Sequence, residues 1–162
     1  MIYALLEKHY ENSYSSESLD SIDFNFNKSL SGTGWYPREF TNEKIAYRWT
    51  GLHKDCTLDL PIIRGSNLKI ELTVTNYISH DTLASLRLEI NNTPISLEKK
   101  FLNGKIIFEG IMPNSALDRK KNFMRLFLKI DQTRSPNSID PSSNDFRNLG
   151  IAFERIKVKP LK

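Results

Sequence analysis

The sequence predicts an all-β protein, an antiparallel two-sheet sandwich of jelly-roll type with about nine strands and little helix. Three observations support this fold class. Between residues 22 and 158 apolar side chains recur mainly at every second position, the period of a strand with one buried face. Turn-forming pairs, Asn91-Asn92 and Asn103-Gly104, separate apolar runs. The runs do not alternate with long helical segments, which argues against a parallel sheet.

Nine strands follow in order along the chain. They are predicted at residues 22–27, 45–50, 57–61, 68–75, 86–91, 95–99, 105–111, 123–131 and 151–159. The run at 123–131 is apolar at nearly every position, so we expect a central strand. The last run breaks its alternation near Glu154-Arg155, which predicts a β-bulge.

Three segments depart from this rhythm. Residues 1–21 predict an N-terminal helical segment followed by a polar connector, and residues 22–162 form the predicted sandwich domain. Residues 113–122 are polar, with a short helical turn expected around 115–119. Residues 133–148 are rich in Ser, Pro, Asn and Asp, and a loop of that length inside a compact domain is usually functional or mobile.

The composition of the chain limits which binding partners and which cellular compartment are expected for the protein. The 162 residues fit one domain, and 23 basic against 19 acidic side chains give a net charge of +4 without a basic run, which argues against a nucleic-acid partner. Cys56 is the single cysteine, so neither an internal disulfide nor a cysteine-based zinc cluster is expected. The first residues resemble neither a signal peptide nor a membrane span, so we expect no membrane insertion and a cytoplasmic location.

The strongest candidate site lies where both tryptophans of the chain stand close to arginines. Its residues are Trp35, Tyr36, Arg38, Glu39, Arg48 and Trp49. Aromatic faces, guanidinium groups and a carboxylate suit a polar, ring-shaped ligand such as a sugar. The alternative is structural: the tryptophans fill the sandwich core and Glu39 pairs with Arg48. Because a buried unpaired charge is costly, either interpretation predicts that Glu39 has an arginine partner, Arg48 or Arg38.

A second candidate lies at the end of the long loop. Asp145 and Arg147 are two residues apart and fall on one side of an extended chain, from which they could close over a ligand. The alternative is a self-bonding turn in which Asp145 accepts hydrogen bonds from nearby backbone N–H groups.

Catalytic signatures are missing from the sequence. It contains no nucleophile elbow, phosphate loop or dinucleotide fingerprint, and His9, His53 and His80 are far apart. We therefore expect no enzymatic activity, no catalytic residues, no cofactor and no metal.

The ordered motifs together resemble a family of β-sandwich domains attached to bacterial glycosyltransferases and methyltransferases of surface-polysaccharide synthesis. The matching motifs are Gly34-Trp35 with Glu39, Arg48-Trp49-Thr50, Leu58-Asp59-Leu60-Pro61, Leu88-Glu89-Ile90-Asn91-Asn92, Ser135-Pro136 and Asp145-Phe146-Arg147-Asn148-Leu149-Gly150-Ile151-Ala152. They span roughly residues 22 to 159, with Asn92 where a glycine is usual.

The resemblance implies a galactose-binding-like sandwich that serves as a non-catalytic carbohydrate-binding or accessory module. Its implied partner is a glycan or a protein of a polysaccharide-assembly system. Two alternatives stay open: a structural or protein-interaction sandwich within a glycosyltransferase system, and a carbohydrate-active enzyme. The sequence does not determine the sugar or the oligomeric state.

Overall fold

The computed structural model describes residues 20–117 and 120–161, which form twelve strands. The strands are β1 Ile22–Asn25, β2 Gly32–Thr33, β3 Glu39–Phe40, β4 Ala46–Trp49, β5 Asp55–Pro61, β6 Leu68–Tyr77, β7 Arg87–Ile90, β8 Thr93–Ile95, β9 Glu98–Leu102, β10 Lys105–Met112, β11 Phe123–Lys129 and β12 Ile151–Pro160. Two short helices, α1 His80–Ala84 and α2 Pro136–Ile139, and a 3-10 turn at Asn114–Ala116 join them. The predicted N-terminal helix lies outside the described residues.

The strands make two antiparallel sheets. The larger has the order β3-β4-β12-β6-β10-β9, with β1 also paired to β12, and the smaller has the order β2-β5-β11-β7-β8. The predicted all-β, two-sheet sandwich with little helix is confirmed. The strand number was underestimated, because β2 and β3 are too short to show a period. The single strand predicted at 95–99 is the end of β8 and the start of β9.

The main core lies between the two sheets and is formed by every second side chain of the strands. In β6, Leu68, Ile70 and Leu72 are fully buried while the residues between them are half-buried. Each such side chain contributes about 1.5–3 kcal/mol when removed from water. The run predicted to be central is β11, which pairs with both β5 and β7.

The predicted turns join neighbouring strands in tight hairpins. Asn91 and Asn92 have φ values of 48° and 70° between β7 and β8, and Asn103 and Gly104 have 52° and 77° between β9 and β10. Two consecutive residues with positive φ match the right-handed twist of the flanking strands. The expected bulge in β12 is also present, as register shifts on either side of Phe153.

Candidate functional site

Trp35 belongs to the main core. Its side chain is 6% exposed, and its ring centroid lies 5.1 Å from that of Phe26 and 6.1 Å from that of Phe153. The indole Nε1–H donates to the Thr57 carbonyl at 2.8 Å. A ring enclosed in this way has no free face for a ligand. Trp35 is therefore a core residue, as the structural alternative predicted.

Trp49 lies in a second, smaller apolar group. It packs with Leu149 and Ala152, and Tyr36, Tyr47 and Ile78 surround these three; we call the six the edge cluster. Trp49 is 7% exposed, so its ring packs against the other residues of the edge cluster and is not available for a ligand to stack on.

Arg38 and Arg48 each bind partners other than Glu39. Arg38 Nη1 donates to the Asn27 side-chain oxygen at 3.0 Å, and its guanidinium lies 5.2 Å from the centre of the Phe40 ring. Arg48 Nη1 donates to the Tyr36 carbonyl at 3.3 Å. Its Nε is buried and has no hydrogen-bond partner among the described residues. Burial lowers the pKa of Arg48, and the charge of Arg38 lowers it further.

Glu39 pairs with Arg147, and the predicted pairing with Arg48 or Arg38 is therefore wrong. Arg48 lies between Tyr47 and Trp49 on β4, and both of those side chains belong to the edge cluster. Because successive side chains of a strand alternate in direction, Arg48 is turned to the opposite face. The coarser expectation, that Glu39 has an arginine partner, is confirmed.

Arg147 is the centre of the residues that do converge. Its Nη1 donates to Glu39 Oε2 at 3.0 Å, and its Nε and Nη2 donate to the two Asp145 oxygens at 3.0 and 2.7 Å. The guanidinium carbon lies 5.4 Å from the centre of the Tyr36 ring, which is cation–π distance. Tyr36 in turn donates its hydroxyl to the Asn148 carbonyl at 2.9 Å. We use the name Arg147 cluster for Tyr36, Glu39, Tyr47, Asp145 and Arg147.

Electrostatics in the Arg147 cluster follow from these contacts. The hydrogen bond from Arg147 holds the pKa of Asp145 below its usual value, and the same bond raises the pKa of Arg147. Burial raises the pKa of the Tyr47 hydroxyl, and the nearby Glu39 charge raises it further. The cluster therefore holds two carboxylates beside one guanidinium, together with a Tyr47 hydroxyl whose raised pKa keeps it protonated at neutral pH.

Backbone contacts hold the end of the long loop against the sheet. Arg134 and Leu149 exchange backbone hydrogen bonds, and the Thr50 Oγ1 accepts from the Ile151 N–H at 2.9 Å. Gly51 has a φ of 119°, and a Cβ there would lie 2.4 Å from the Asn148 carbonyl oxygen. Only glycine permits this close approach. The loop end that carries Arg147 is thereby placed beside the edge cluster.

Asp145 also closes the turn that the sequence suggested. Its Oδ1 accepts from the Arg147 backbone N–H at 3.1 Å, so the self-bonding turn is present. The same carboxylate orients the Arg147 side chain, and the two interpretations are therefore compatible.

Sequence reasoning did not select two residues of this region. Tyr47 lies in the edge cluster beside Glu39, with which it pairs across β3 and β4. Phe146 is 70% exposed between Asp145 and Arg147. The sequence did offer a signal for Phe146. An aromatic residue between two charged residues in a polar loop does not belong to an apolar strand face, so its ring is expected to be exposed.

The Arg147 cluster can bind polar groups but carries no recognisable catalytic arrangement. Carboxylate oxygens accept hydrogen bonds from hydroxyl groups, and tyrosine hydroxyls can both donate and accept hydrogen bonds. In residues 20–117 and 120–161, no group of three or more His, Cys, Asp or Glu side chains is placed to hold a metal ion. No helix in that part of the chain is long and apolar enough to cross a bilayer.

The fold is similar to the native structure of a family 35 carbohydrate-binding module from Clostridium thermocellum. The TM-score is 0.51 at 8% sequence identity, and the alignment covers 88% of this chain and 100% of that chain. At this identity the similarity establishes the β-sandwich fold alone. No protein-family model and no curated protein matches the sequence.

Proposed function

We propose that the protein is a non-catalytic carbohydrate-binding domain whose ligand contacts the Arg147 cluster. The observation that carries the proposal is the convergence of Glu39, Asp145 and Arg147 over Tyr36 on a β-sandwich similar in fold to a carbohydrate-binding module. Each of the three charged side chains is about one-third exposed, so a ligand can reach them.

The chemistry favours a sugar with neutral hydroxyl groups. Two carboxylates and one guanidinium sum to a charge of −1, which disfavours an anionic ligand. Phe146 is exposed and adjoins Asp145 and Arg147 in sequence. We propose that its ring covers the C–H side of a pyranose while the carboxylates accept hydrogen bonds from the sugar hydroxyl groups. The two tryptophans contribute by holding the scaffold.

We further propose that the domain serves as an accessory module in bacterial surface-polysaccharide biosynthesis. This assignment is supported by the ordered motifs from Gly34-Trp35 to the segment 145–152, which resemble domains attached to the enzymes of that process. The partner is then either the glycan itself or a protein of the assembly system.

The decisive experiment is calorimetric titration of the protein with oligosaccharides from bacterial surface polysaccharides. We expect saturable binding in the micromolar to millimolar range, about −4 to −8 kcal/mol. Phe146→Ala and Glu39→Gln should each weaken binding about tenfold, since each removes one ligand contact.

Two control variants match these substitutions. Ile111→Ala removes an exposed apolar side chain outside the Arg147 cluster, and Glu89→Gln removes a carboxylate that pairs with Lys129 on the smaller sheet. Both should bind as the wild type does. Absence of saturable binding to every oligosaccharide, or equal binding by Phe146→Ala and Glu39→Gln, would contradict the proposal.

A second candidate function is a structural or protein-interaction sandwich. The burial of both Trp35 and Trp49 favours it, because neither residue is placed to contact a ligand. In that case Arg147 would serve only to fasten the long loop to β3, and no glycan would bind.

A further inference from the structure

A separate groove of about 580 Å³ lies on the larger sheet, outside the Arg147 cluster. Two hairpin turns border it: the β3–β4 turn at residues 41–45, and the β9–β10 turn with Gly104 and Lys105. Its floor includes Thr75 of β6 and Glu154 of β12. The volume falls within the range of small-ligand sites.

The bulge in β12 supplies a carboxylate to this floor. The register shifts between Phe153 and Arg155, so Glu154 falls outside the regular pairing with β6. Bulges redirect side chains in this way and are common beside binding sites. The Glu154 side chain is only 10% exposed, although it is a charged residue.

Glu154 is held by partners that leave hydrogen-bonding capacity unused. Lys105 Nζ lies 2.8 Å from each carboxylate oxygen, and the Thr75 hydroxyl donates to one of them at 3.4 Å. A carboxylate accepts about four hydrogen bonds and an ammonium group donates three. The pair can therefore still accept one hydrogen bond and donate another, which is what adjacent sugar hydroxyls require.

An exposed aromatic ring stands at the border of the same groove. Phe101 is 73% exposed on the edge strand β9, opposite Ile106 of β10. Lys99 Nζ lies 5.7 Å from the centre of the ring, and the high exposure of Phe101 leaves ring surface next to the polar floor for stacking on the C–H face of a pyranose.

From these observations we infer that the groove is a second saccharide-binding site, specific for neutral sugars. Phe101 stacks on the ring, and the Lys105–Glu154 pair binds two neighbouring hydroxyl groups. Glu43, Lys105 and Glu154 line the groove with charges that sum to −1, and Lys99, whose Nζ lies 5.7 Å from the centre of the Phe101 ring, brings the sum to zero. The site therefore offers no net positive charge to a uronic acid. The inference extends the proposed function to a second site, but it stands on its own residues and is tested separately.

The test is an NMR titration of the isotope-labelled protein with maltose, cellobiose and lactose, and with glucuronic acid for comparison. We expect saturable shifts of the Thr75, Gly104 and Lys105 amides with at least one neutral disaccharide, and none with glucuronic acid. Phe101→Ala should weaken this binding about tenfold. Its exposed position means that the variant should remain folded, and Lys105→Gln provides a second variant with the same expected loss.

Glu89→Gln is the matched control, since the Glu89–Lys129 pair has the same chemistry at 2.7 Å on the other sheet. It should leave the shifts at the groove unchanged. The inference is overturned when no neutral disaccharide shifts these amides, when glucuronic acid shifts them equally, or when Phe101→Ala and Lys105→Gln bind as the wild type does. Shifts around Tyr36 and Arg147 report the proposed function independently, so failure at one site is distinguishable from failure at the other.

Discussion

Asp59 is a carboxylate of β5 that faces Arg125 of β11 in a nearly closed environment. Its side chain is 1% exposed, and its two oxygens accept from Arg125 Nε and Nη2 at 2.7 and 2.8 Å. Removing one partner of such a pair leaves an uncompensated buried charge. We therefore expect Asp59→Asn to lower the free energy of unfolding by about 3–5 kcal/mol, measured by urea denaturation.

Asp23→Asn provides the comparison at the surface. Asp23 pairs with Arg155, but both side chains are nearly half exposed. Solvent screening limits such a pair to about 0–1 kcal/mol. Equal destabilisation by Asp59→Asn and Asp23→Asn would contradict the expectation that the buried pair of Asp59 stabilises the fold more than the exposed pair of Asp23.

Cys56 illustrates how burial alone changes the chemistry of a residue. The side chain is buried in β5, its Sγ–H donates to the Gly34 carbonyl at 3.0 Å, and desolvation raises the pKa of the thiol to about 12. Because the thiolate is the reactive form, we expect alkylation by iodoacetamide at pH 8 to be at least about a thousandfold slower than in the unfolded protein. Mass spectrometry of native and urea-unfolded samples measures this ratio, and rapid labelling of the native protein would contradict it.

At the scale of elements, the segment 133–148 is held to β3 by a side-chain network. Asp145 orients Arg147, and Arg147 reaches Glu39. The pKa of Asp145 is lowered in the folded state, so its contribution to stability is present above its unfolded pKa, about 3.9, and is lost as the pH falls through the folded value.

Asp145→Asn should therefore be less stable than the wild type at neutral pH, and the difference in Tm should shrink as the pH falls below about 4. Thermal unfolding from pH 7 to pH 2 measures this difference directly. Other carboxylates titrate in both proteins, so the difference isolates Asp145. A difference that stays constant over this range would show that the network does not depend on the Asp145 charge.

For the molecule as a whole, β12 joins the two apolar groups. Phe153 packs against Trp35 in the main core, while the preceding residue, Ala152, packs with Trp49 in the edge cluster. Neighbouring residues of one strand cannot easily unfold independently, so we expect a single cooperative transition.

Trp35→Phe leaves Trp49 as the only fluorescent indole, and Trp49→Phe leaves Trp35. In each variant the urea midpoint from tryptophan fluorescence should coincide with the midpoint from circular dichroism. An earlier fluorescence transition in Trp35→Phe would show that the edge cluster opens before the main core.

Apart from the fold class, the features predicted correctly from the sequence were mostly local ones. Alternation in β6 and in β12, the paired turns at Asn91-Asn92 and Asn103-Gly104, and the bulge near Glu154 each depend on a few consecutive residues. Two-residue strands such as β3 could not be predicted, because they exist only through pairing with a neighbour.

By itself the sequence determined the class of fold and the regions where polar and aromatic residues concentrate, because side-chain alternation and turn chemistry act over short distances. The tertiary structure alone decided which of those residues meet. Glu39 and Arg147 are 108 positions apart, and the pairing of β3 with β4 and of β4 with β12 brings their segments together. The same packing buried Trp35 and Trp49 and left Phe101 and Phe146 exposed, since residue type alone does not decide burial and the opposing strands must also cover the side chain.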